Sequence, residues 1–277
     1  MDRITGRFAV VGNPIGHSLS PQIHAAFARQ TGHTIDYRAE QIDLASFEAW
    51  VADFFERGGR GLNVTLPFKS RAYVLAQAAS ERANAAGAAN FLTRDPDGQV
   101  VADNTDGKGL VTDMVRNAGW SLGGARILIL GAGGAVKGVM SALLAEDPSS
   151  VHVVNRTASR AEALAALWRD SSANVSGGGY ETADAMAWDV IINGTSTGLS
   201  GDMPALPASL ALARGCVCYD MAYGEAAAPF LAWSREQGAG DVRDGLGMLV
   251  EQAAESYFLW LGEYPQTQPL LSFLQGD

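Results

Sequence analysis

Two cysteines in 277 residues, Cys216 and Cys218, cannot build a disulfide framework, which points to a reducing compartment. Charge is sparse too. Only 18% of residues are charged, below the usual ~25%, and acids outnumber bases 30 to 20 for a net charge of −10. That balance argues against a general nucleic-acid or anionic-membrane binder, since both need a net basic face. No apolar run reaches the ~18 residues of a membrane span. Residues Met1 to Thr5 contain no long apolar core, and the stretch Phe8 to Val11 is broken at once by Gly12, Asn13 and Pro14. No leader is therefore expected, and the location expected is cytoplasmic. The four histidines (His17, His24, His33 and His152) show no ligand spacing, so no metal is expected. What the chain does have is glycine, 32 residues of it, which with 47% hydrophobic residues predicts a compact chain rich in tight turns. At ~150 residues per domain the length predicts two domains.

Strand-like apolar runs alternate with helical patterns, which favours a largely parallel α/β organisation. Arg7 to Val11 reads as a strand, and Ser20-Pro21 reads as an N-cap followed by proline at the first helical position. That helix turns Ile23, Ala26 and Phe27 inward and stops near Gly32. Phe47, Trp50, Val51, Phe54 and Phe55 recur at helical spacing up to Gly58-Gly59, and Gly61 to Leu66 is a short strand closed by Pro67. Further strands are expected at Arg126 to Leu130, Val151 to Val154, Val190 to Ile192 and Cys216 to Tyr219, where the two cysteines read as core. Helices are expected from the glycine cluster to Leu144 and around Ala161, Leu164, Ala165 and Leu167. Ser171 to Gly179 reads as a flexible loop, and Leu246, Leu249, Val250, Ala253, Tyr257, Trp260 and Leu261 form a late helical stripe. The expected division is a mostly parallel α/β domain over residues 1–105, joined by terminal helices over 245–277, and a Rossmann-type domain over 106–244.

The strand ending at Leu130 feeds Gly131-Ala132-Gly133-Gly134-Ala135 and then a helix, the order that brings backbone N–H groups against a pyrophosphate. The match to G-x-G-x-x-G is imperfect, because Val136 stands at the third glycine position. A tight strand–helix turn is the plain alternative. At the end of the next strand, where an NAD site presents an acid, stands Asn155, followed by Arg156, Thr157 and Arg160. Nothing there repels a 2′-phosphate and two arginines could clamp one, so NADP is expected; a solvated helix start with surface arginines is the alternative.

Three lysines, Lys69, Lys108 and Lys137, stand against seventeen arginines. In that background Lys69, just past a strand and Pro67, hints at a need for a titratable amine, although a surface lysine would look the same. Asp103-Asn104-Thr105-Asp106-Gly107 packs polar groups into one turn, where an Asp can also make an Asx-turn or cap a helix. Ser18 and Ser20 could offer hydroxyls to a small polar ligand, or Ser20 could only cap its helix. Asn63, Thr65 and Asn90 are ambiguous alone.

Together the segments Gly12 to Pro21, Asn63 to Lys69, Asp103 to Gly107, Gly131 to Ala135, Asn155 to Thr157, Asn193 to Gly198 and Asp244 to Leu249 resemble the shikimate dehydrogenase family along essentially the whole chain. The resemblance implies reversible reduction of 3-dehydroshikimate to shikimate with NADPH, in aromatic amino acid biosynthesis, in a cleft between two domains. It implies Lys69 and Asp106 as the catalytic pair. Ser18, Ser20, Thr65, Asn90, Tyr223 and Gln252 match substrate-holding positions, and Asn63 matches the same pocket. Gly131, Ala132, Gly133, Gly134 and Ala135 match the pyrophosphate loop, with Asn155, Arg156, Thr157 and Arg160 at the 2′-phosphate. Glu81, Met221, Gly245 and Met248 match positions on the nicotinamide side. Gly194 and Ala89 depart from the alanine and valine common in the family. The chemistry is consistent: hydride transfer to a carbonyl builds charge on its oxygen, which a lysine oriented by an aspartate can protonate. The partner expected is the small-molecule substrate alone, with no nucleic acid or membrane, in a monomer or homodimer. A quinate/shikimate dehydrogenase using NAD, a folate-linked dehydrogenase and a non-catalytic NADP-binding sensor are the competing readings.

Overall fold

The computed structural model describes residues 5–276. The chain divides into two compact units, with crossings at Gly109/Leu110 and Met248/Leu249, so that the first and last segments share one unit.

The first unit contains β1 (Thr5–Gly12), α1 (Ser20–Thr31), β2 (Thr34–Gln41), α2 (Phe47–Glu56), β3 (Gly59–Val64), α3 (Lys69–Leu75), β4 (Ala78–Ala79), α4 (Glu81–Ala86), β5 (Phe91–Arg94) and β6 (Val100–Asp103). Its sheet runs β2-β1-β3-β5-β6-β4. Parallel pairing holds β1 to β2 and β3, and β4 to β6, while β5 is antiparallel to both neighbours. β5 and β6 form a hairpin whose Asp95-Pro96-Asp97-Gly98 turn puts Gly98 at φ +82°, a turn signal in plain view that the alternating reading passes over. One face of the sheet packs Phe47, Val51, Phe54 and Phe55 of α2 against Ala9, Val11, Leu62 and Leu92. Phe8, Ile23 and Phe27 form a further core with Val250, Ala254 and Tyr257 of the helix α9 (Leu246–Leu261).

The boundary falls inside α5 (Asp106–Thr112), whose last three residues open the second unit, and a π-helical turn at Asp113–Asn117 follows. There follow β7 (Arg126–Leu130), α6 (Gly134–Ala145), β8 (Ser150–Val154), α7 (Ala158–Ala166), β9 (Asn174–Gly178), β10 (Trp188–Asn193), β11 (Leu212–Asp220), α8 (Ala228–Glu236) and β12 (Asp241–Arg243). The sheet order β12-β11-β10-β7-β8-β9, parallel throughout, is that of a doubly wound dinucleotide-binding sheet. Its central strands are buried on both faces, and for that reason read as unbroken apolar runs. A last helix, α10 (Gln268–Gln275), follows α9.

Two expectations are corrected. Residues 171–179 are not all loop, since β9 pairs with β8 as the sheet's edge; Gly177 lies so close to α7 that a Cβ would meet the backbone of Ala161. Ser20 is not a side-chain cap: α1 begins at Ser20 itself, and Leu19 holds the cap position without a side-chain bond. Among the described residues no helix is long and apolar enough to cross a membrane.

Candidate active site and nucleotide turn

Lys69 opens α3 and Asp106 opens α5, each shortly beyond the carboxyl end of a strand, β3 ending at Val64 and β6 at Asp103. Lys69 is set in place by its neighbours. Phe68 is buried and stacks on Phe47 with ring centroids 4.4 Å apart, and the Lys69 carbonyl accepts the Ala89 N–H at 2.9 Å. On the other side, the turn before Asp106 is tied down by Asp103. Its carboxylate accepts the Asn104 N–H, the Ser80 hydroxyl and two donors of the Arg82 guanidinium, at 2.6 and 2.8 Å. Burial pushes the Asp103 carboxyl up, but Arg82 and Ser80 overcome that and hold it below the usual carboxylate range. Arg82 also reaches Glu255 of α9. Asp103 thus does the structural work of the turn and leaves Asp106 free for another partner.

That partner is Lys69, whose Nζ donates to Asp106 Oδ2 at 2.6 Å, with side chains 18% and 6% exposed. The second oxygen, Oδ1, accepts from Asn90 Nδ2 at 2.8 Å. With both carboxylate oxygens occupied by donors, Asp106 is acceptor-only, and Lys69 keeps N–H groups to offer outward. Asn90 is locked in turn, because its Oδ1 accepts the Thr105 N–H at 2.7 Å while its amide also reaches Thr105 and Gln252. Asn63 is fully engaged, donating to Ser256 Oγ and accepting from the Tyr37 hydroxyl at 2.7 Å. Ser18 and Thr65 are half-buried, and Ser18 Oγ accepts the Ser20 N–H. The structure therefore brings Lys69, Asp106, Asn90, Gln252 and Asn63 into one polar cluster. It adds Ser256 and Tyr37, which the sequence reading leaves out, and gives a place in the cluster to Thr105, which that reading names only as part of the polar turn. Gln252 and Ser256 stand four apart on α9 beside its apolar stripe, a buried polar pair that helical spacing alone could have flagged. Glu81 is exposed at the start of α4. Tyr223, Met221, Gly245 and Met248 belong to the second unit.

In that unit Gly131 follows β7 at φ +102°, and an added Cβ there would sit 3.0 Å from the Gly194 carbonyl oxygen. Only glycine serves at such a position. Gly133 and Gly134 start α6, and nothing lies within 4 Å of where their side chains would be. A helix N-terminus with unobstructed backbone is what a pyrophosphate needs. A Cβ on Gly194 would fall on Val136, so the glycine at 194 goes with the valine at the third glycine position, which fills the space an alanine at 194 would need; nothing in the structure explains Ala89. Beyond β8, Asn155 donates to the Thr157 carbonyl at 3.0 Å, while Arg156 and Arg160 are exposed. None of residues 155–160, which follow this strand, is acidic.

A chain that combines a doubly wound unit bearing an open glycine turn with a unit bearing a lysine–carboxylate pair has the parts of a nucleotide-dependent oxidoreductase. Comparison with known proteins narrows the class. Residues 10–92 match the shikimate dehydrogenase substrate binding domain, residues 113–199 the shikimate/quinate 5-dehydrogenase family, and residues 245–271 the shikimate 5′-dehydrogenase C-terminal domain. The chain is 50% identical over 274 residues to the shikimate dehydrogenase (NADP(+)) of Alkalilimnicola ehrlichii, covering 99% of this chain and 100% of the relative. Among solved structures it is similar to an Ael1 enzyme from Pseudomonas putida, with a TM-score of 0.89, 42% identity and coverage of 97% and 98%. It is also similar to shikimate 5-dehydrogenase from Thermus thermophilus in complex with NADP(H) and shikimate, with a TM-score of 0.83, 32% identity and 95% of each chain. The chain belongs to the shikimate dehydrogenase family.

Proposed function

We propose that this protein interconverts 3-dehydroshikimate and shikimate with NADP(H), with Lys69 and Asp106 as the acid–base pair. The observation that carries the reading is the 2.6 Å bond between Lys69 Nζ and Asp106 Oδ2 within a buried amide network. NADPH, when bound, supplies the hydride. The open turn from Gly131 to Ala135 fits its pyrophosphate, and Arg156, Arg160, Asn155 and Thr157 fit a 2′-phosphate that no acid repels.

The protein's own part is electrostatic and protonic. As the carbonyl carbon accepts hydride, its oxygen gains negative charge, and the Lys69 ammonium stabilises that charge and then gives up a proton to make the hydroxyl. In the oxidative direction the neutral amine takes the hydroxyl proton back. Asp106 holds Nζ in one direction and stabilises its charged form, and Asn90 prevents the carboxylate from rotating away. Such general acid–base groups contribute ~10²–10⁴ in rate. Ser18, Ser20 and Thr65 offer hydroxyls to the substrate's carboxylate and ring hydroxyls. Gln252 and Asn90 flank the catalytic pair, while Asn63 acts as a post that holds this wall. The units divide the labour, with substrate on the first and cofactor on the second.

Initial rates with shikimate and quinate, each with NADP and NAD, test the assignment. The expected result is the highest kcat/KM for shikimate with NADP. A preference for quinate, for NAD, or no turnover would overturn it.

A further inference from the structure

β10 and β11 pair in parallel, with Asn193 opposite Asp220 at their carboxyl ends. Asn193 Nδ2 donates to Asp220 Oδ2 at 2.7 Å. Each side chain is then fixed from outside by the backbone of its own exit turn. Asn193 Oδ1 accepts the Thr195 N–H at 3.1 Å and the Thr195 hydroxyl at 2.7 Å, and Asp220 Oδ1 accepts the Ala222 N–H at 2.8 Å.

A backbone N–H thus points inward from both ends of a two-residue chain. Such a chain closes only if one member accepts on both sides. An amide carries an acceptor at one end and a donor at the other, so Asn193 alone cannot reverse the polarity. The ionised carboxylate of Asp220 can. If Asp220 were protonated on Oδ2, its O–H would face the Asn193 amide donor; if on Oδ1, it would face the Ala222 N–H. Either way one bond is lost.

We propose that ionised Asp220 is a positioning residue for the cofactor, a latch that holds the exit turns of β10 and β11 in the geometry that NADP binding requires. This rests on the NADP reading above. The turn it holds bears directly on the nucleotide loop: the Gly194 N–H bonds the Leu130 carbonyl at 2.8 Å, and the Gly194 carbonyl oxygen leaves no room for a side chain on Gly131. The Met221 sulfur lies 3.1 Å from where a Gly194 Cβ would be, so the second exit turn backs the first. Both turns sit at the carboxyl edge beside the β7/β10 switch point, where doubly wound sheets bind their ligands.

The latch is sensitive to acid. Asp220 is 1% exposed. Burial raises its carboxyl to about 6, with Asp244 pushing the same way and the Ala222 and Asn193 donors opposing. Asp244, just beyond β12, is the charged group that acts on it; β10 and β7 end in Asn193 and Leu130, which do not titrate. On α8 the charged residues Arg235 and Glu236 lie in the last turn, and that end leads to Gly240, which bonds Cys216 nearer the start of β11. As pH falls through about 6 the carboxylate is lost, and with it one bond of the latch.

The test is NADP⁺ affinity of the full chain, by titration calorimetry from pH 5 to 7.5, for the wild type, Asp220→Asn and the exchange Asn193→Asp/Asp220→Asn. In the exchange every donor again meets an acceptor. Asp220→Asn opposes donor to donor and should weaken NADP⁺ about tenfold or more at pH 7.5. The ratio of variant to wild-type Kd should fall toward one at pH 5, and taking the ratio cancels the ligand's own 2′-phosphate, which titrates in the same range. The exchange should recover wild-type affinity to within about threefold. A ratio that stays constant with pH, an unaffected Asp220→Asn protein, or a folded exchange variant that still binds tenfold more weakly would overturn the latch. If Asp220→Asn does not fold, the exchange variant alone decides. A wild type that binds no NADP⁺ at pH 7.5 would instead sink the cofactor reading on which the latch rests.

Discussion

Replacing His24 with phenylalanine should make the protein less sensitive to acid. The imidazole is 1% exposed, neither ring nitrogen meets a partner in good hydrogen-bond geometry, and the nearby Asn63 side chain only weakly opposes the effect of burial. It stacks on Tyr37 with ring centroids 4.1 Å apart, and Phe27, Tyr257 and Trp260 crowd its other sides. Burial lowers its pKa from 6.5 to about 3. The sign follows directly. Above pH 6.5 the ring is neutral folded and unfolded, and the group does not affect the balance. Below it only the unfolded chain takes up the proton, so stability is lost from pH 6.5 downward until the folded form also protonates near 3. At ~1.4 kcal/mol per pH unit, the loss between pH 6.5 and 5 is about 2 kcal/mol. Asp220, held near 6, shifts stability the other way over part of this range, but equally in both proteins. Urea unfolding of wild type and His24→Phe at pH 7.5 and pH 5 therefore isolates the ring: whatever the offset at pH 7.5, it should move about 2 kcal/mol in favour of the variant at pH 5. An offset that does not change with pH would mean that the buried ring is protonated or solvated in the folded state.

Two further outcomes concern the nucleotide unit. Replacing both Arg156 and Arg160 with alanine should cost NADP ~10²–10⁴-fold in kcat/KM, at 1.5–3 kcal/mol for each charge-assisted bond, and leave NAD use unchanged; equal losses with both cofactors would assign the arginines to the fold. Gly194→Ala should lower the melting temperature, because overpacking against Val136 costs ~1–3 kcal/mol, and Val136→Ala should restore it in the double variant; no rescue would place the strain elsewhere.

How far the sequence could be read follows from where the residues lie. Strands β7, β8, β10 and β11 are buried on both faces, so their apolar runs announce them; β2 sits at a sheet edge with alternating exposure and carries no such run. β9 reads as loop because its Ser176-Gly177-Gly178 segment has little side chain, and only its fit against α7 makes it a strand. The glycine turn and the acid-free end of β8 are local patterns and were legible as such. The active cluster is not local. Lys69 and Asp106 lie 37 residues apart, Asn90 and Gln252 lie 162 apart, and no periodicity links them. The family resemblance supplied that pairing. Thr105 was visible only as part of a polar turn, and Ser256 only as a polar residue four from Gln252; neither they nor Tyr37 show a role until Asn90 and Asn63 fold against them.

If Lys69 and Asp106 act as one proton-transferring unit, a kinetic double-mutant cycle will show it. With shikimate and NADP, Lys69→Ala should lower kcat by ~10²–10⁴-fold with a modest change in the shikimate KM. Lys69→Arg should fail nearly as badly, since it keeps the charge but holds its proton. Once Lys69 is gone, adding Asp106→Asn should cost far less than it does in the intact enzyme, as for residues that work as a unit. Losses that multiply in full, or a Lys69→Ala enzyme that retains its kcat, would mean that the two residues are not such a unit.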